Sequence, residues 1–318
     1  MKIIAQKPMR LDVCIQKELK TPRNQVEQLI KKHGVIVNGK KLFKSGFKLK
    51  GGENIEVILP TLEKQTPKEI DFDVEIIYED DDVLIINKPP HLIVHPAPSV
   101  KEATLVDWLK YKGISLSTLS AQERHGIVHR IDKETSGALV IAKNNESHIA
   151  LSRQLEDKSM GRYYLAIIDQ PLKENIIIEK AISRHPTQRV KMTVSHDGRE
   201  AKSAFLKIAS SKDNSIELIS AKLFTGRTHQ IRVHLKSLSR HVLNDFTYGY
   251  KGKNSEKGRV MLHAYLIYFI HPKTKKLIIK EAPLFEDFKG ILTKKFNMET
   301  IDEKISSNTI INNFSISF

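Results

Sequence analysis

The spacing of hydrophobic positions changes character near residue 60. Before it, Leu11, Cys14, Ile15 and Leu19, and then Val26, Leu29 and Ile30, recur at helical spacing and predict two short amphipathic helices. Thr21-Pro22 reads as an N-cap with proline in the first turn of the second helix. Val35-Ile36-Val37, the turn pair Asn38-Gly39 and Lys40-Lys41-Leu42 predict a β-hairpin, because an Asn-Gly pair accepts the positive φ that a two-residue turn demands. A last strand is expected over 54–59, after Gly51-Gly52.

Beyond residue 70 the apolar residues gather into runs of strand length: 83–86, 138–142, 163–168, 176–182, 203–208, 216–223, 261–270 and 277–279. Few amphipathic helices separate them. The fold class expected is therefore α+β: a small N-terminal α/β module, then a domain on a mixed, largely antiparallel sheet with flanking helices. The boundaries expected are a module over 1–60, a linker over 61–70 marked by prolines and mixed charge, a main domain over 71–300, and a polar tail over 301–318. From Ser306 onward, serine and asparagine predict loose packing.

Charge adds a partner. Fifty-two Lys+Arg against 37 Asp+Glu give +15 over 318 residues, which favours a polyanion. The excess is concentrated: between Lys17 and Lys50 ten basic residues face only Glu18 and Glu27. Within that face Arg23, Lys31, Lys32 and Lys40 are candidate phosphate contacts. A single cysteine, Cys14, excludes an intramolecular disulfide and a CxxC zinc motif, and fits a reducing cytoplasm. The N-terminus lacks a signal-peptide pattern, and no apolar run has the length of a membrane span. Phosphate-cradling GxGxxG and GxxxxGKS motifs are absent, so no nucleotide cofactor is expected.

Four segments carry candidate chemistry. His129-Arg130-Ile131-Asp132-Lys133-Glu134-Thr135-Ser136-Gly137 crowds a carboxylate and bases ahead of a buried strand; on its own it also fits an ordinary turn. The acidic run Glu79-Asp80-Asp81-Asp82 is read as a solvated turn rather than a metal site, and His125 and His129 lack a third ligand. After Gly226 a helix is expected, with Thr228, Ile231, Leu235 and Leu238 on one stripe and His229, Arg232, Lys236 and Arg240 on the next. Leu262-His263-Ala264 reads as a strand with a histidine at its edge.

Taken in order, Glu79-Asp80 to His95-Pro96, Gly126-Ile127-Val128-His129-Arg130-Ile131-Asp132-x-x-Thr135-Ser136-Gly137, Tyr164-x-Ala166, Thr225-Gly226-Arg227-Thr228-His229-Gln230-Ile231-Arg232 and Leu262-His263-Ala264 resemble the RluA-type pseudouridine synthases. Arg10-Leu11-Asp12, Val35-x-Val37-Asn38-Gly39-Lys40 and Gly51-Gly52-Glu53-x-Ile55 resemble the S-four-like RNA-binding module. The chain departs from the synthase pattern at His91, His125 and Asn244, and from the module's pattern at Thr21-Pro22-Arg23.

The resemblance implies an isomerase that detaches uracil from ribose, turns it and rejoins it through carbon, without cofactor or metal. It implies Asp132 as nucleophile, Arg232 as the guanidinium that favours its charged form, and Tyr164 in the base pocket. Arg130 is expected to fill the gap left by a flipped nucleotide, and His129, Arg227 and His229 to contact RNA. The expected substrate is structured RNA, large-subunit ribosomal RNA ahead of tRNA, taken by a monomer. The rival readings are a non-catalytic RNA-binding assembly factor and an aspartate glycosidase or metal nuclease. The ligand triads and paired carboxylates that the last two require are not legible.

Overall fold

The computed structural model describes residues 2–19, 23–57, 69–96, 100–117, 126–252 and 258–317. The chain divides into Met1–Pro67 and Lys68–Phe318. The expected Thr21-Pro22 cap, most of the expected linker and His125 lie outside the described residues.

In the first unit β1 (Lys2–Ile4), β2 (Met9–Arg10), α1 (Leu11–Leu19), α2 (Arg23–His33), β3 (Val35–Val37), β4 (Lys40–Leu42), β5 (Lys48–Leu49) and β6 (Asn54–Glu56) follow in order. The helical stripes do what their spacing requires: Leu11, Cys14, Ile15, Val26 and Ile30 share one core with Val35, Val37 and Ile55. Asn38 and Gly39 take φ of 48° and 81°, the two positive values of the predicted hairpin turn. Asp12 is fully buried and accepts from Arg10 at 2.8 Å and Arg23 at 2.9 Å; the Arg10 bond leads in holding its carboxyl well below the usual range. Arg23, one of the candidate phosphate contacts, is therefore engaged in bracing α1 against α2, whereas Lys31, Lys32 and Lys40 are exposed.

The second unit runs β7 (Glu75–Glu79), β8 (Val83–Lys88), α3 (Leu105–Tyr111), β9 (Ser136–Ala142), α4 (Asn145–Glu156), β10 (Gly161–Ile168), β11 (Ile176–Glu179), β12 (Ile182–Arg184), β13 (Met192–Val194), β14 (Lys202–Ser210), β15 (Glu217–Leu223), α5 (Gln230–Lys236), β16 (Leu262–Ile270), β17 (Leu277–Glu281), α6 (Glu286–Lys295), α7 (Ile301–Ile305) and α8 (Ser307–Ser317). Nine strands form one sheet in the order β11-β14-β15-β10-β16-β9-β8-β7, with β17 also on β16. Every pairing is antiparallel except β9 with β16. Where those two meet, Gly137 has φ 111° and a Cβ there would stand 2.2 Å from the Ala264 carbonyl oxygen, so only glycine lets the strands close.

The continuous apolar runs of β8 and β9 are explained by burial on both faces. Leu84, Ile86, Leu139 and Ile141 pack with Leu105, Trp108 and Leu109 of α3, while Val83, Ile85, Val140 and Ala142 share the opposite core with Leu151 of α4. The expected strand over 176–182 is two strands: β11 stays in the sheet, and β12 leaves it to pair with β13.

The loose polar tail is corrected. Ile301, Ile305, Ile310 and Phe314 enter the main core, and Phe314 meets Tyr163 in a tilted ring contact with centroids 5.2 Å apart. The serines and asparagines of α8 hid an apolar pair at i, i+4 spacing, enough to dock a short helix once a sheet face is available.

Candidate active site

The loop before β9 delivers Asp132, and its carbonyl accepts from Thr135 N–H in the turn that the sequence suggested. Ile131 is in the core, which fixes the loop and leaves Arg130 exposed and Asp132 partly open. Across a cleft stands α5. The helix begins only at Gln230, because His229 is its N-cap in left-handed backbone (φ 57°), and it ends before Leu238 and Arg240. The longer two-striped helix is thus a seven-residue helix with an irregular entry. That entry turns both His229 and Arg232 toward Asp132.

Arg232 Nη1 lies 3.4 Å and His229 Nε2 3.9 Å from Asp132 Oδ2. Arg232 itself is held by a buried fork: Nε to Asp245 Oδ2 at 2.6 Å and Nη2 to Asp245 Oδ1 at 2.8 Å. Burial alone would lower the arginine's pKa; the Asp245 bonds and charge outweigh it and raise the value. The guanidinium carbon also sits 4.9 Å from the centroid of Tyr248.

Tyr248 decides the state of His229. Its hydroxyl accepts from Met192 N–H at 2.8 Å, so its own proton is free for His229 Nδ1 at 2.7 Å. In a neutral imidazole the remaining proton is then on Nε2, facing Asp132. Burial, ahead of every charge around it, pushes the His229 pKa down and favours that neutral form.

Tyr164 is buried in β10 and lines the cleft with Arg162, two residues earlier on the same face of the strand. Tyr163 points the other way, to Phe314. Burial pushes the Tyr164 phenol up to about 12, against the pull of Arg162 and with the push of Asp132. The described lining of the cleft includes four arginines, Arg130, Arg162, Arg227 and Arg232, and one carboxylate, Asp132. Arg227 Nε is bonded to the Glu200 carbonyl at 2.9 Å.

His129 is placed differently from the expectation of an RNA contact. Its Nε2 accepts from Val140 N–H at 3.1 Å, which puts the ring proton on Nδ1, and burial drives its pKa down to about 3. It is a neutral brace for β9, not a surface cation. His263 is likewise central rather than at an edge: it joins Ser136 (2.8 Å) to the Ala282 carbonyl (3.1 Å) and is lowered by burial to about 4.

Four residues at the site were not singled out in the sequence: Lys88, Arg162, Asp245 and Tyr248. Lys88 ends the apolar run of β8 fully buried, donates to the Pro89, Leu92 and Lys133 carbonyls, and is lowered by burial to about 7. A lysine closing an unbroken apolar strand was the legible signal; for Tyr248, within an irregular segment, there was none. The acidic run is the turn expected: Asp80 Oδ1 accepts from Asp82 and Val83 N–H, and Oδ2 from Tyr78 and His271. Asp80, Asp82 and His271 do gather within 4.8 Å, with the Asp80 oxygens already committed to these donors.

No helix among the described residues is long and apolar enough to cross a membrane. Residues 82–237 match the family described as RNA pseudouridylate synthase, and residues 9–55 match the S4 domain. The chain is 47% identical over 313 residues to an uncharacterized RNA pseudouridine synthase of Helicobacter pylori strain J99, covering 96% of this chain and 95% of that protein. It is 34% identical over 253 residues to the ribosomal large subunit pseudouridine synthase D of Nitrosomonas europaea, covering 77% and 72%. The human RNA pseudouridylate synthase domain containing 1 shares the fold with a TM-score of 0.55 at 24% identity, over 68% of this chain and 86% of that one.

Proposed function

Since the chain belongs to the RluA-type RNA pseudouridine synthases and carries an S4 domain, we propose that it isomerises uridines of large-subunit ribosomal RNA with Asp132 as nucleophile. The observation that carries this reading is Asp132 itself: among the described residues, the one carboxylate lining an arginine-rich cleft, within 3.4 Å of Arg232 and 3.9 Å of His229. The exposed Lys31, Lys32 and Lys40 of the S4 domain, and relatives named for the large ribosomal subunit, support the ribosomal substrate over tRNA.

In the step proposed, an Asp132 oxygen bonds ribose C1′ as the C1′–N1 bond breaks and its electron pair leaves with the base. The uracil turns until C5 faces C1′. The C5–C1′ bond then forms, the carboxylate departs with its electron pair, the C5 proton passes to solvent, and N1 takes up a proton, so the product is an isomer of the substrate. Atoms balance without cofactor or energy source. Tyr164, raised to about 12, keeps its proton at neutral pH and can stack on the base or hydrogen-bond to it. Arg130, exposed at the lip, is suited to the space a flipped nucleotide vacates; flipping costs a few kcal/mol of stacking that the side chain offsets in part.

Tritium release from RNA labelled at uracil C5 tests the reading, with large-subunit rRNA and tRNA as parallel substrates. Release from rRNA by wild type and not by Asp132→Asn is expected. Release from tRNA alone would overturn the substrate. Full release by Asp132→Asn would overturn the nucleophile.

A further inference from the structure

Among the described residues three arginines are buried, and two are neutralised. Arg232 is forked on Asp245, and Arg259 on Asp287 at 2.6 and 3.0 Å. The third, Arg162, is 8% exposed and has no carboxylate partner among the described residues, and its Nε finds no hydrogen-bond acceptor there. A desolvated, unpaired guanidinium is costly to the fold. Its place is specific: it lines the cleft beside Tyr164, facing Gly226. A Cβ at Gly226 would stand 2.9 Å from Arg162 Nη1, so the glycine leaves the space that the guanidinium occupies. His129, a nearby partly buried imidazole, is neutral and has its own buried Nδ1 unpartnered among the described residues, so it supplies no counter-charge.

We propose that Arg162 is a further catalytic residue, whose guanidinium receives the negative charge that the uracil ring acquires during isomerisation. The inference rests on the synthase reading above and deepens it. When C1′–N1 breaks, the departing pair is delocalised from N1 onto the ring carbonyl oxygens O2 and O4. If Asp132 instead added to the ring, the pair would again be pushed toward C5 and O4. By either route the base becomes an anion in a cleft lined by Asp132, a carboxylate that cannot stabilise it, and by the buried cation of Arg162 on β10, which can. Donors already aimed at developing charge in a site sheltered from water do not have to reorganise. The missing carboxylate partner follows, since a resident anion would compete with the transient one.

The test compares uridine with 5-fluorouridine at the same position of an otherwise identical RNA, in single-turnover consumption by wild type, Arg162→Gln, Arg162→Lys and Asp132→Asn. Fluorine stabilises the departing base, so less is asked of the cation. Arg162→Gln is expected to slow uridine on the order of 10²–10³-fold, the usual effect of deleting a charge-stabilising donor, and 5-fluorouridine by a smaller factor. Arg162→Lys should fall between. Equal slowing of both substrates would overturn the assignment. So would a defect seen only as weaker RNA binding with a shallower salt dependence, which would mark Arg162 as a phosphate contact. Should neither variant fold, wild type is titrated with the 5-nitrouracil anion and with neutral uracil: tighter binding of the anion supports the inference, and no preference refutes it. A wild type silent on every RNA would instead sink the synthase reading, so the two failures are distinguishable.

Discussion

Replacing Asp245 with asparagine isolates what holds Arg232 in place. Both side chains of the fork are almost fully buried, at 1% and 5% exposure, and the carboxylate also accepts from Tyr248 N–H at 3.2 Å. The amide keeps one acceptor and sets an NH2 group against a guanidinium N–H, leaving the buried cation half-satisfied. Breaking a buried pair from one side costs about 3–5 kcal/mol, and the remaining acceptor puts this case near 3. In a unit of this size that corresponds to a loss of about 6–12 °C in Tm. The released arginine is free to close on Asp132, now 3.4 Å away, and to occupy the carboxylate that must act. Displacement on the ångström scale costs on the order of 10²-fold in rate. Urea unfolding read by circular dichroism measures the first effect, and single-turnover tritium release the second. The double variant Arg232→Met with Asp245→Leu should regain most of the stability and none of the activity, because no lone charge is left inside. An Asp245→Asn protein that loses less than about 1 kcal/mol and keeps its rate within about twofold would refute the premise that this fork sets the site.

Three further outcomes are expected. Tyr248→Phe keeps the ring that stacks on Arg232 but removes the proton offered to His229; nitrogen-15 NMR should show the wild-type ring protonated at Nε2 and the variant shifted toward the Nδ1 tautomer, with an unchanged ring overturning the hydrogen-bond order. His129 and His263, lowered to about 3 and about 4 from 6.5, bind protons in the unfolded chain before the folded one, so stability must fall with pH below 6.5. Between pH 6.5 and 5 the two together should remove about 3 kcal/mol, and a flat urea midpoint over that interval contradicts their burial as neutral rings. Phe314→Ala should cost about 3 kcal/mol in urea unfolding, since the ring is 2% exposed against Tyr163; a cost below about 1 kcal/mol would mean that α8 is not part of the core.

Period and turn chemistry determined much of this protein directly. The stripes of α1 and α2, the Asn38-Gly39 hairpin and the apolar runs that became β8, β9, β10, β14, β15 and β16 are local properties, readable wherever side-chain period matches burial. The ordered motifs likewise pointed to Asp132, Tyr164 and Arg232 as members of one site. Tertiary structure decided what period cannot encode. Whether Ile310 and Phe314 form a tail or a core helix depends on a sheet face contributed from over a hundred residues earlier. Whether His129 is a surface cation or a neutral brace depends on the Val140 N–H across a turn. His229 gained its tautomer from Tyr248 and Met192, on segments it meets only in space. Arg162 shows the limit most plainly: alternation along a strand places it beside Tyr164, but only the folded interior shows that, among the described residues, no carboxylate comes to meet it. A charge, unlike an apolar side chain, takes its meaning from the partner it has or lacks, and that partner is set by contact rather than by sequence distance.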